Sequence, residues 1–189
     1  MLSLEESLKI LRETNALLEG HFILSSGLHS PQYVQCAQLL SKPDKANKIC
    51  VALSEKIKDN FKEFDLILSP AMGGVLIGYE IGKLLKKETI FSERVDGKFL
   101  LRRGFTIKKN QKVLIIEDVI TTGKSSLECV KLIKDSKAKL LGFASLIDRS
   151  SKQTLKIKKR IVSQLKISVP TYKKKRLGSR EGKICQKIQ

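Results

Sequence analysis

The sequence predicts an α/β fold in which a central, mostly parallel β-sheet is flanked by helices. Short apolar runs of the buried-strand type occur at residues 64–68, 113–116 and 140–147, and segments with helical spacing lie between them. Strands that alternate with helices of roughly ten to fifteen residues imply right-handed βαβ crossovers, and such crossovers produce a parallel sheet. Polar turns follow the strands, at the sheet edge where parallel sheets bind their ligands.

The N-terminal region predicts a helix followed by short strands and turns. Residues 3–18 carry leucines at near-helical spacing, and Ser3 with Glu6 matches the capping-box pattern. We expect Gly20 to end this helix. Residues 21–40 contain Ser-Ser-Gly and Ser-Pro steps, which are typical of turns between short strands.

The middle of the chain supplies the remaining elements. A second helix is predicted to start after Pro43, with one apolar face made by Ala46, Ile49, Leu53 and Ile57. Further helices are predicted at residues 74–85 and 125–135, short strands at 89–92 and 161–165, and a polar loop or hairpin at 94–103. This order is that of a single alternating α/β domain.

The positive charge of the chain is concentrated near its C-terminus. The 189 residues are 41% hydrophobic and 30% charged, which suits one domain with a sizeable core. The formal net charge is +18. Residues 151–189 hold 13 of the 37 bases and one of the 19 acids, so this segment alone contributes +12. Most of the net positive charge therefore lies in the C-terminal segment and not in the rest of the chain.

Composition excludes several classes of protein. The four cysteines have no CxxC spacing, which fits reduced thiols rather than a disulfide framework, and two histidines are too few for a histidine-rich zinc site. The acidic N-terminus does not fit a signal peptide. No apolar run approaches the ~20 residues needed to cross a bilayer, so we expect a cytoplasmic protein without a membrane partner.

The most informative segment is residues 113–125. A buried strand delivers two adjacent carboxylates, Glu117 and Asp118, and a loop of hydroxyls and glycine then opens a helix. Amide groups at a helix N-terminus bind phosphate, whereas the carboxylates would repel phosphate and suit sugar hydroxyls or a magnesium-bearing group. A Walker A loop is excluded because Asp118 stands where that motif requires glycine.

This segment resembles the phosphoribosyl-diphosphate (PRPP) signature of the type I phosphoribosyltransferases. The resemblance implies that family's fold, with the acid pair on the ribose hydroxyls and the Thr-Thr-Gly loop around the 5-phosphate. The turn at residues 69–74 is similar to the family's pyrophosphate loop. The PRPP-binding residues implied in this way are Ser69, Ala71, Gly73, Glu117, Asp118, Val119, Ile120, Thr121, Thr122, Gly123, Lys124 and Ser125.

The signature usually has glycine where this chain has Lys124. A residue that opens a helix does not need a positive φ, so we expect binding to be intact.

A narrower resemblance runs along the chain as far as Tyr172. Residues 20–30 resemble the N-terminal hood of the orotate phosphoribosyltransferases, and residues 101–105 and 169–172 extend the match. The resemblance implies one domain at residues 1–172, with the hood at about 1–40. The basic tail at 173–189 departs from the family and its role cannot be inferred from it.

The implied reaction transfers the ribose 5-phosphate group of PRPP to N1 of orotate. Arg149 ends a strand beside the implied base site, where a guanidinium can grip the orotate carboxylate. The alternative for Arg149 is an ion pair with Asp148. By resemblance, Thr121 also contacts orotate. Magnesium is the implied cofactor, held mainly through PRPP, and the chain shows no metal-ligand set of its own.

The basic segment at residues 93–103 fits a lid that brings cations to the departing pyrophosphate. We assign catalytic roles to Arg94 and Lys98, with Asp96 in a proton-transfer or orienting role, and to Asp118. In the family this loop closes over the neighbouring subunit, which implies a homodimer. The alternative is an ordinary solvated hairpin.

Two other functions are open at this stage. The first is a transferase for another base, which Arg149 disfavours because a neutral purine does not need a carboxylate clamp. The second is a PRPP-sensing, RNA-binding regulator that uses the basic C-terminal segment, with salt-sensitive affinity. Tyr172 is the only aromatic residue of that segment, so base stacking has little support and nucleic acid is an unlikely partner.

Overall fold

The structure, a computed structural model, describes residues 2–24, 27–151 and 155–172 and the backbone of 185–187. The rest of the predicted tail, and Ser25 and Ser26 of the predicted hood, lie outside the described residues. The helices are α1 (Leu4–Glu13), α2 (Cys36–Leu40), α3 (Pro43–Asn60), α4 (Gly73–Leu85) and α5 (Lys124–Asp135). The strands are β1 (Leu17–Ile23), β2 (His29–Val34), β3 (Leu66–Pro70), β4 (Glu88–Val95), β5 (Lys98–Leu101), β6 (Lys112–Ile120), β7 (Lys139–Asp148), β8 (Ile161–Lys166) and β9 (Cys185–Lys187).

The fold is built around a six-stranded sheet in the order β5-β4-β3-β6-β7-β8. Neighbouring strands run parallel, except that β4 and β5 form an antiparallel hairpin. The predicted α/β fold with a mostly parallel central sheet is therefore confirmed. Because β3, β6 and β7 are adjacent and parallel, their carboxyl ends meet at one edge of the sheet.

Alternate residues of the central strand pack into separate cores on the two faces of the sheet. On β6, Leu114 and Ile116 pack with α3 and α4, whereas Val113 and Ile115 pack with α5. This alternation follows from the pleat of a strand. The apolar face predicted for α3 is confirmed, because all four of its residues are buried: Ala46, Ile49, Leu53 and Ile57. Among the described helices, none has the length and apolarity to span a bilayer.

The first helix is shorter than the sequence predicted. The capping box of Ser3 and Glu6 is present, but α1 ends at Glu13. The Thr14 hydroxyl donates back to a carbonyl of the last turn at 2.8 Å. Asn15 then adopts the left-handed conformation, with φ of 57°, and turns the chain away from the helix axis.

The predicted helix end at Gly20 is wrong, because that residue lies inside a strand of the hood. The hood is a small sheet in the order β2-β1-β9, in which Leu17 pairs with Val34. Ala16 and Leu17 are buried in the main core. Their burial as an extended segment outweighs the helical spacing of the leucines.

The central strand is longer than its apolar run. β6 continues to Ile120 because its end pairs with β7 as far as Asp148. Glu117 and Asp118 therefore lie within the strand, and as consecutive strand residues they face opposite sides of the sheet.

Close packing at Gly142 of β7 provides a test of this arrangement. A Cβ atom there would lie 2.6 Å from the Phe61 ring and 2.9 Å from the carbonyl oxygen of Arg160. We expect Gly142→Ala to lower the free energy of unfolding by roughly 1–3 kcal/mol, because the backbone neighbour cannot move aside freely. Gly20→Ala is the control, since its Cβ would lie 3.4 Å from Phe22. Urea unfolding measures both, and equal losses would contradict the packing argument.

Candidate active site

Two acids near the end of β6 form the centre of the candidate site. Glu117 is 8% exposed, and its carboxylate accepts a hydrogen bond from the Ser126 hydroxyl of α5. Asp118 is half-buried on the opposite side of the strand. Within the part of the chain that the structure describes, no lysine or arginine forms an ion pair with either acid.

Burial without a cationic partner raises the pKa of both acids. The pKa of Glu117 rises to about 7, chiefly because of burial, with an opposing effect of the hydrogen bonds from Ser126 and a further increase from the charge of Asp118. Burial also raises the pKa of Asp118, against the backbone amides that lower it. Groups that donate hydrogen bonds to the ionised carboxylates, such as sugar hydroxyls, would therefore be held strongly here.

The turn after β3 lies against the acid pair. Gly73 opens α4 beside Asp118, and a Cβ atom at that position would lie 2.5–2.7 Å from the carboxylate atoms. Glycine is what permits this approach. The Ser69 hydroxyl is buried and has no hydrogen-bond partner among the described residues, and the peptide bond between Ala71 and Met72 is cis. The structure thus brings the predicted turn residues Ser69, Ala71 and Gly73 to the edge that carries the acids.

The loop between β6 and α5 has the geometry of an anion site. Gly123 is the N-cap of α5 with φ of 73° and has no side chain to cap the helix. The Thr122 hydroxyl accepts a hydrogen bond from the amide of Lys124 at 3.3 Å, and the positive end of the helix dipole faces the loop. Lys124 begins the helix and is not among the described residues with positive φ, as expected. The remaining predicted residues of this stretch are Val119, Ile120, Thr121, Thr122 and Ser125, of which the two threonines are exposed.

Arg149 follows β7 directly and lies beside the end of β6. Its backbone amide donates to the carbonyl of Ile120 at 2.8 Å. Its guanidinium Nε is buried without a hydrogen-bond partner in the described part of the chain, and burial lowers the pKa of Arg149. Asp148 instead pairs with Lys166 at 3.6 Å. The sequence left two roles open for Arg149, a carboxylate clamp and an ion pair with Asp148. The described contacts do not include that ion pair.

The segment predicted as a lid is the hairpin of β4 and β5. Arg94 pairs with Glu128 of α5 at 2.8 Å and lies over the ring of Phe99, with its guanidinium carbon 4.2 Å from the centroid. Asp96 and Lys98 are exposed at the turn, where Asp96 has φ of 47°. The structure does not bring these side chains into contact with the acid pair, and their catalytic roles stay predictions.

Two residues of the site were missed from the sequence. Ser126 is fully buried and holds Glu117. The sequence did contain a signal for Ser126. It is the second of two consecutive serines in the first turn of α5, directly after the loop that follows the acid pair. The Cys36 thiol lies 3.9 Å from the backbone carbonyl of Asp118, and no local pattern indicates this contact between distant segments. Burial raises the pKa of Cys36 well above its usual range, so this cysteine is a packed thiol.

The assembled groups suit a phosphorylated sugar. One buried and one half-buried carboxylate can accept hydrogen bonds from hydroxyls, the N-terminus of α5 can bind phosphate, and the Arg149 guanidinium can bind a further anionic group. Within the described residues there is no group of three or more His, Cys, Asp or Glu side chains that could hold a metal ion.

Comparison with known proteins indicates the same chemistry. Residues 35–174 match the family described as phosphoribosyl transferase domain. An orotate phosphoribosyltransferase from Erythrobacter litoralis is 48% identical over 148 residues, which cover 78% of this chain and 77% of that protein. Another from Parvibaculum lavamentivorans is 43% identical over 169 residues, which cover 89% of this chain and 87% of that protein.

A solved structure shares the fold. The crystal structure of the orotate phosphoribosyltransferase from Aeropyrum pernix has a TM-score of 0.71 at 22% identity, and the match covers 84% of this chain and 92% of that chain. Fold and site together define an enzyme that binds a ribose phosphate, and the chain belongs to the phosphoribosyltransferase family. Both of the relatives described above, which match it over 77% and 87% of their own length, are orotate phosphoribosyltransferases.

The raised pKa of Glu117 predicts that the ligand-free protein loses stability as pH rises. The pKa is about 7 in the folded protein against an ordinary value of 4.5. Between these pH values the unfolded chain releases the proton while the folded chain retains it, so the free energy of unfolding falls as pH rises and the full loss is reached above pH 7. We expect Glu117→Gln, which can still accept from Ser126, to exceed the parent in free energy of unfolding at pH 8 by on the order of 3 kcal/mol. At pH 5 the difference should be much smaller. Urea unfolding at the two pH values measures it.

The exposed Glu55 of α3 supplies the control for this experiment. Glu55→Gln should change stability little at either pH, because its carboxylate is in water in both states. If Glu117→Gln shifted stability equally at pH 5 and pH 8, the buried carboxylate would not be the cause.

Proposed function

We propose that this protein is an orotate phosphoribosyltransferase of de novo pyrimidine (UMP) synthesis. It transfers the ribose 5-phosphate group of PRPP to orotate and forms orotidine 5-phosphate and pyrophosphate. The bond from ribose C1 to the pyrophosphate oxygen breaks, and a bond from C1 to N1 of orotate forms with inversion at C1. The proton of N1 is released, so that the products are orotidine 5-phosphate, pyrophosphate and one proton. The two relatives of 43–48% identity support this choice of base.

The Arg149 guanidinium, whose buried Nε has no hydrogen-bond partner among the described residues, is the observation that carries this assignment. Arg149 lies at the end of β7, beside the end of β6, with Cys36 and Tyr33 near enough to affect its pKa. A planar guanidinium holds a carboxylate through two parallel hydrogen bonds. Orotate carries such a carboxylate, and a neutral purine does not. We assign Thr121, in the adjoining loop, to orotate as well.

The acid pair and the two turns suit the parts of PRPP. Glu117 and Asp118 accept hydrogen bonds from the ribose 2- and 3-hydroxyls. Their negative charge stabilises the positive charge that develops on the ribose in the transition state. Residues 119–125 hold the 5-phosphate at the N-terminus of α5, and residues 69–73 hold the pyrophosphate. Positioning of this kind needs no covalent nucleophile.

We include magnesium as the cofactor. The oxygen ligands it prefers are present, since the Asp118 carboxylate lies against Gly73 at the turn assigned to pyrophosphate. Asp118 is the residue that would hold the ion from the protein side, while PRPP oxygens complete the set. When bound, the ion neutralises charge on the departing pyrophosphate.

We assign the hairpin of β4 and β5 to a lid over the reacting groups. Arg94 and Lys98 bring positive charge to the pyrophosphate, and Asp96 orients the loop or carries a proton. The ion pair between Arg94 and Glu128 joins side chains that are 41% and 29% exposed. Pairs in such positions contribute about 0–1 kcal/mol. Release of Arg94 would also break its hydrogen bond to the Gly97 carbonyl and its contact with the Phe99 ring.

We also propose a homodimer in which each lid covers the partner's site. A stripe of apolar side chains at the start of α4 supports this proposal. Met72, Leu76 and Tyr79 are 85%, 60% and 67% exposed, and their spacing places them on one helix face. An exposed apolar patch of this kind is typical of an interface.

We place the protein in the cytoplasm. Cys36, Cys50 and Cys129 are buried and unpaired, which is typical of proteins in reducing compartments.

Orotate consumption tests the proposed function directly. With PRPP and magnesium, we expect orotate to be lost, as followed by its ultraviolet absorbance, and a metal chelator to stop the loss. Adenine, hypoxanthine and uracil are the control bases. Turnover of a control base without turnover of orotate would overturn the proposal.

Substitution of Arg149 tests the carboxylate clamp. We expect Arg149→Ala to raise the KM for orotate by roughly 10- to 100-fold, because it removes hydrogen bonds to a charged group. The KM for PRPP should change little. Arg149→Lys keeps the positive charge but cannot make the two parallel hydrogen bonds. Its KM for orotate should lie between those of the parent and Arg149→Ala. An unchanged orotate affinity in Arg149→Ala would refute the clamp.

A further inference from the structure

A groove lies outside the candidate active site, between α5 and the segment that leads into β8. It has a volume of about 680 Å³, within the ~300–1,000 Å³ range of small-molecule pockets. Its apolar side chains include Leu127, Val130, Leu140, Leu141 and Phe143. The connection between β7 and β8 contains no helix in its described residues, 149–151 and 155–160. No described residue of this connection forms a helix over this flank of α5.

The rim of this groove is positively charged. It is lined by five lysines and no acid, the lysines being Lys134, Lys139, Lys156, Lys158 and Lys159. None of them forms an ion pair with another residue that the structure describes. Lysine stems extend along apolar surface and keep the ammonium group at its edge. An apolar floor with such a rim fits a ligand that has an apolar body and a negatively charged head.

One wall of the groove touches the loop assigned to the 5-phosphate of PRPP. Ile157 is buried, and a Cβ atom at Gly123 would lie 2.6 Å from its side chain. The amide of Lys156 donates to the carbonyl of Thr122 at 3.2 Å. A ligand that orders residues 156–157 would therefore also act on residues 122–123.

We propose that this groove binds a medium-chain carboxylate and that its occupancy changes the affinity for PRPP. The alkyl chain lies on the apolar floor, and the carboxylate lies at the lysine rim. Binding is independent of the function proposed above, whereas the coupling rests on it. Because coupling between two ligands is reciprocal, PRPP must change the affinity for the carboxylate by the same factor.

Calorimetric titration with dodecanoate, below the concentration at which it forms micelles, tests the binding. The double variant Lys134→Glu/Lys158→Glu should bind it about tenfold more weakly than the parent, which is the effect of removing two attractive charges and adding two repulsive ones. Lys58→Glu, at an exposed position on α3 outside the groove, is the matched control and should bind as the parent does.

Dodecyltrimethylammonium, which carries the same chain on a cationic head, should bind the parent at least about tenfold more weakly than dodecanoate. Equal affinity for the two amphiphiles, or an unchanged dodecanoate affinity in the folded double variant, would overturn the proposal. Circular dichroism establishes that the variants are folded. If the parent bound no dodecanoate and Val130→Asp lowered its mass in light scattering, the groove would belong to a second copy of the chain.

The coupling is measured as the Kd for PRPP with and without saturating dodecanoate. We expect a change of about fivefold or more, which Ile157→Ala should reduce because it removes the side chain that contacts the loop. An unchanged PRPP affinity with dodecanoate bound would overturn the coupling alone. Absence of PRPP binding in the parent would contradict the proposed function as well, and the dodecanoate result would stand by itself.

Discussion

The parallel pairing of β6 on both of its edges is the constraint on which the site depends. β3 pairs with it on one side and β7 on the other. Parallel strands end at the same edge of a sheet, so the turn after β3, the acids of β6 and Arg149 after β7 are neighbours although they are far apart in sequence. A shift of one residue in β6 would exchange the faces of Glu117 and Asp118. Glu117 would then lose Ser126, and Asp118 would lose its place beside Gly73.

Among the residues that the structure describes, the site holds ionisable groups buried without partners of opposite charge. Glu117 accepts hydrogen bonds from Ser126, which partly offset its burial, and the Arg149 guanidinium has a buried Nε without a hydrogen-bond partner in the same part of the chain. Such groups lower the stability of the folded chain. A ligand that offers hydroxyls to the acids and a carboxylate to the arginine removes these penalties when it binds. Stability and ligand affinity are therefore coupled through the same side chains.

Net charge and local charge have different meanings in this protein. The chain carries +18 overall, but the charges assigned to the reaction are few. They are Arg94, Lys98 and Arg149 against Glu117 and Asp118. The lysines around the α5 groove form a second group, whose apolar floor distinguishes it from an ordinary solvated surface. The anion indicated by the site is a sugar diphosphate, and the anion indicated by the groove is an amphiphile.

Local sequence patterns were sufficient to predict much of this molecule. Hydrophobic runs predicted the alternating strands and helices, and the capping box of Ser3 and Glu6 predicted where α1 begins, because these signals are made between residues a few positions apart. The pattern of residues 113–125 predicted a buried strand, a turn and the start of a helix for the same reason, and these elements are present. The hairpin of β4 and β5 was one of the two conformations expected for its segment.

Other features were decided only when distant segments met. The extended conformation of Leu17 follows from burial against the main core, which outweighs helical spacing. The length of β6 follows from its ladder with β7. Ser126 meets Glu117, and in the described contacts Asp148 pairs with Lys166 rather than with its neighbour Arg149. The burial of a side chain and the identity of its hydrogen-bond or ion-pair partner depend on every element that packs around it. The residues next to it in sequence do not indicate which elements those are.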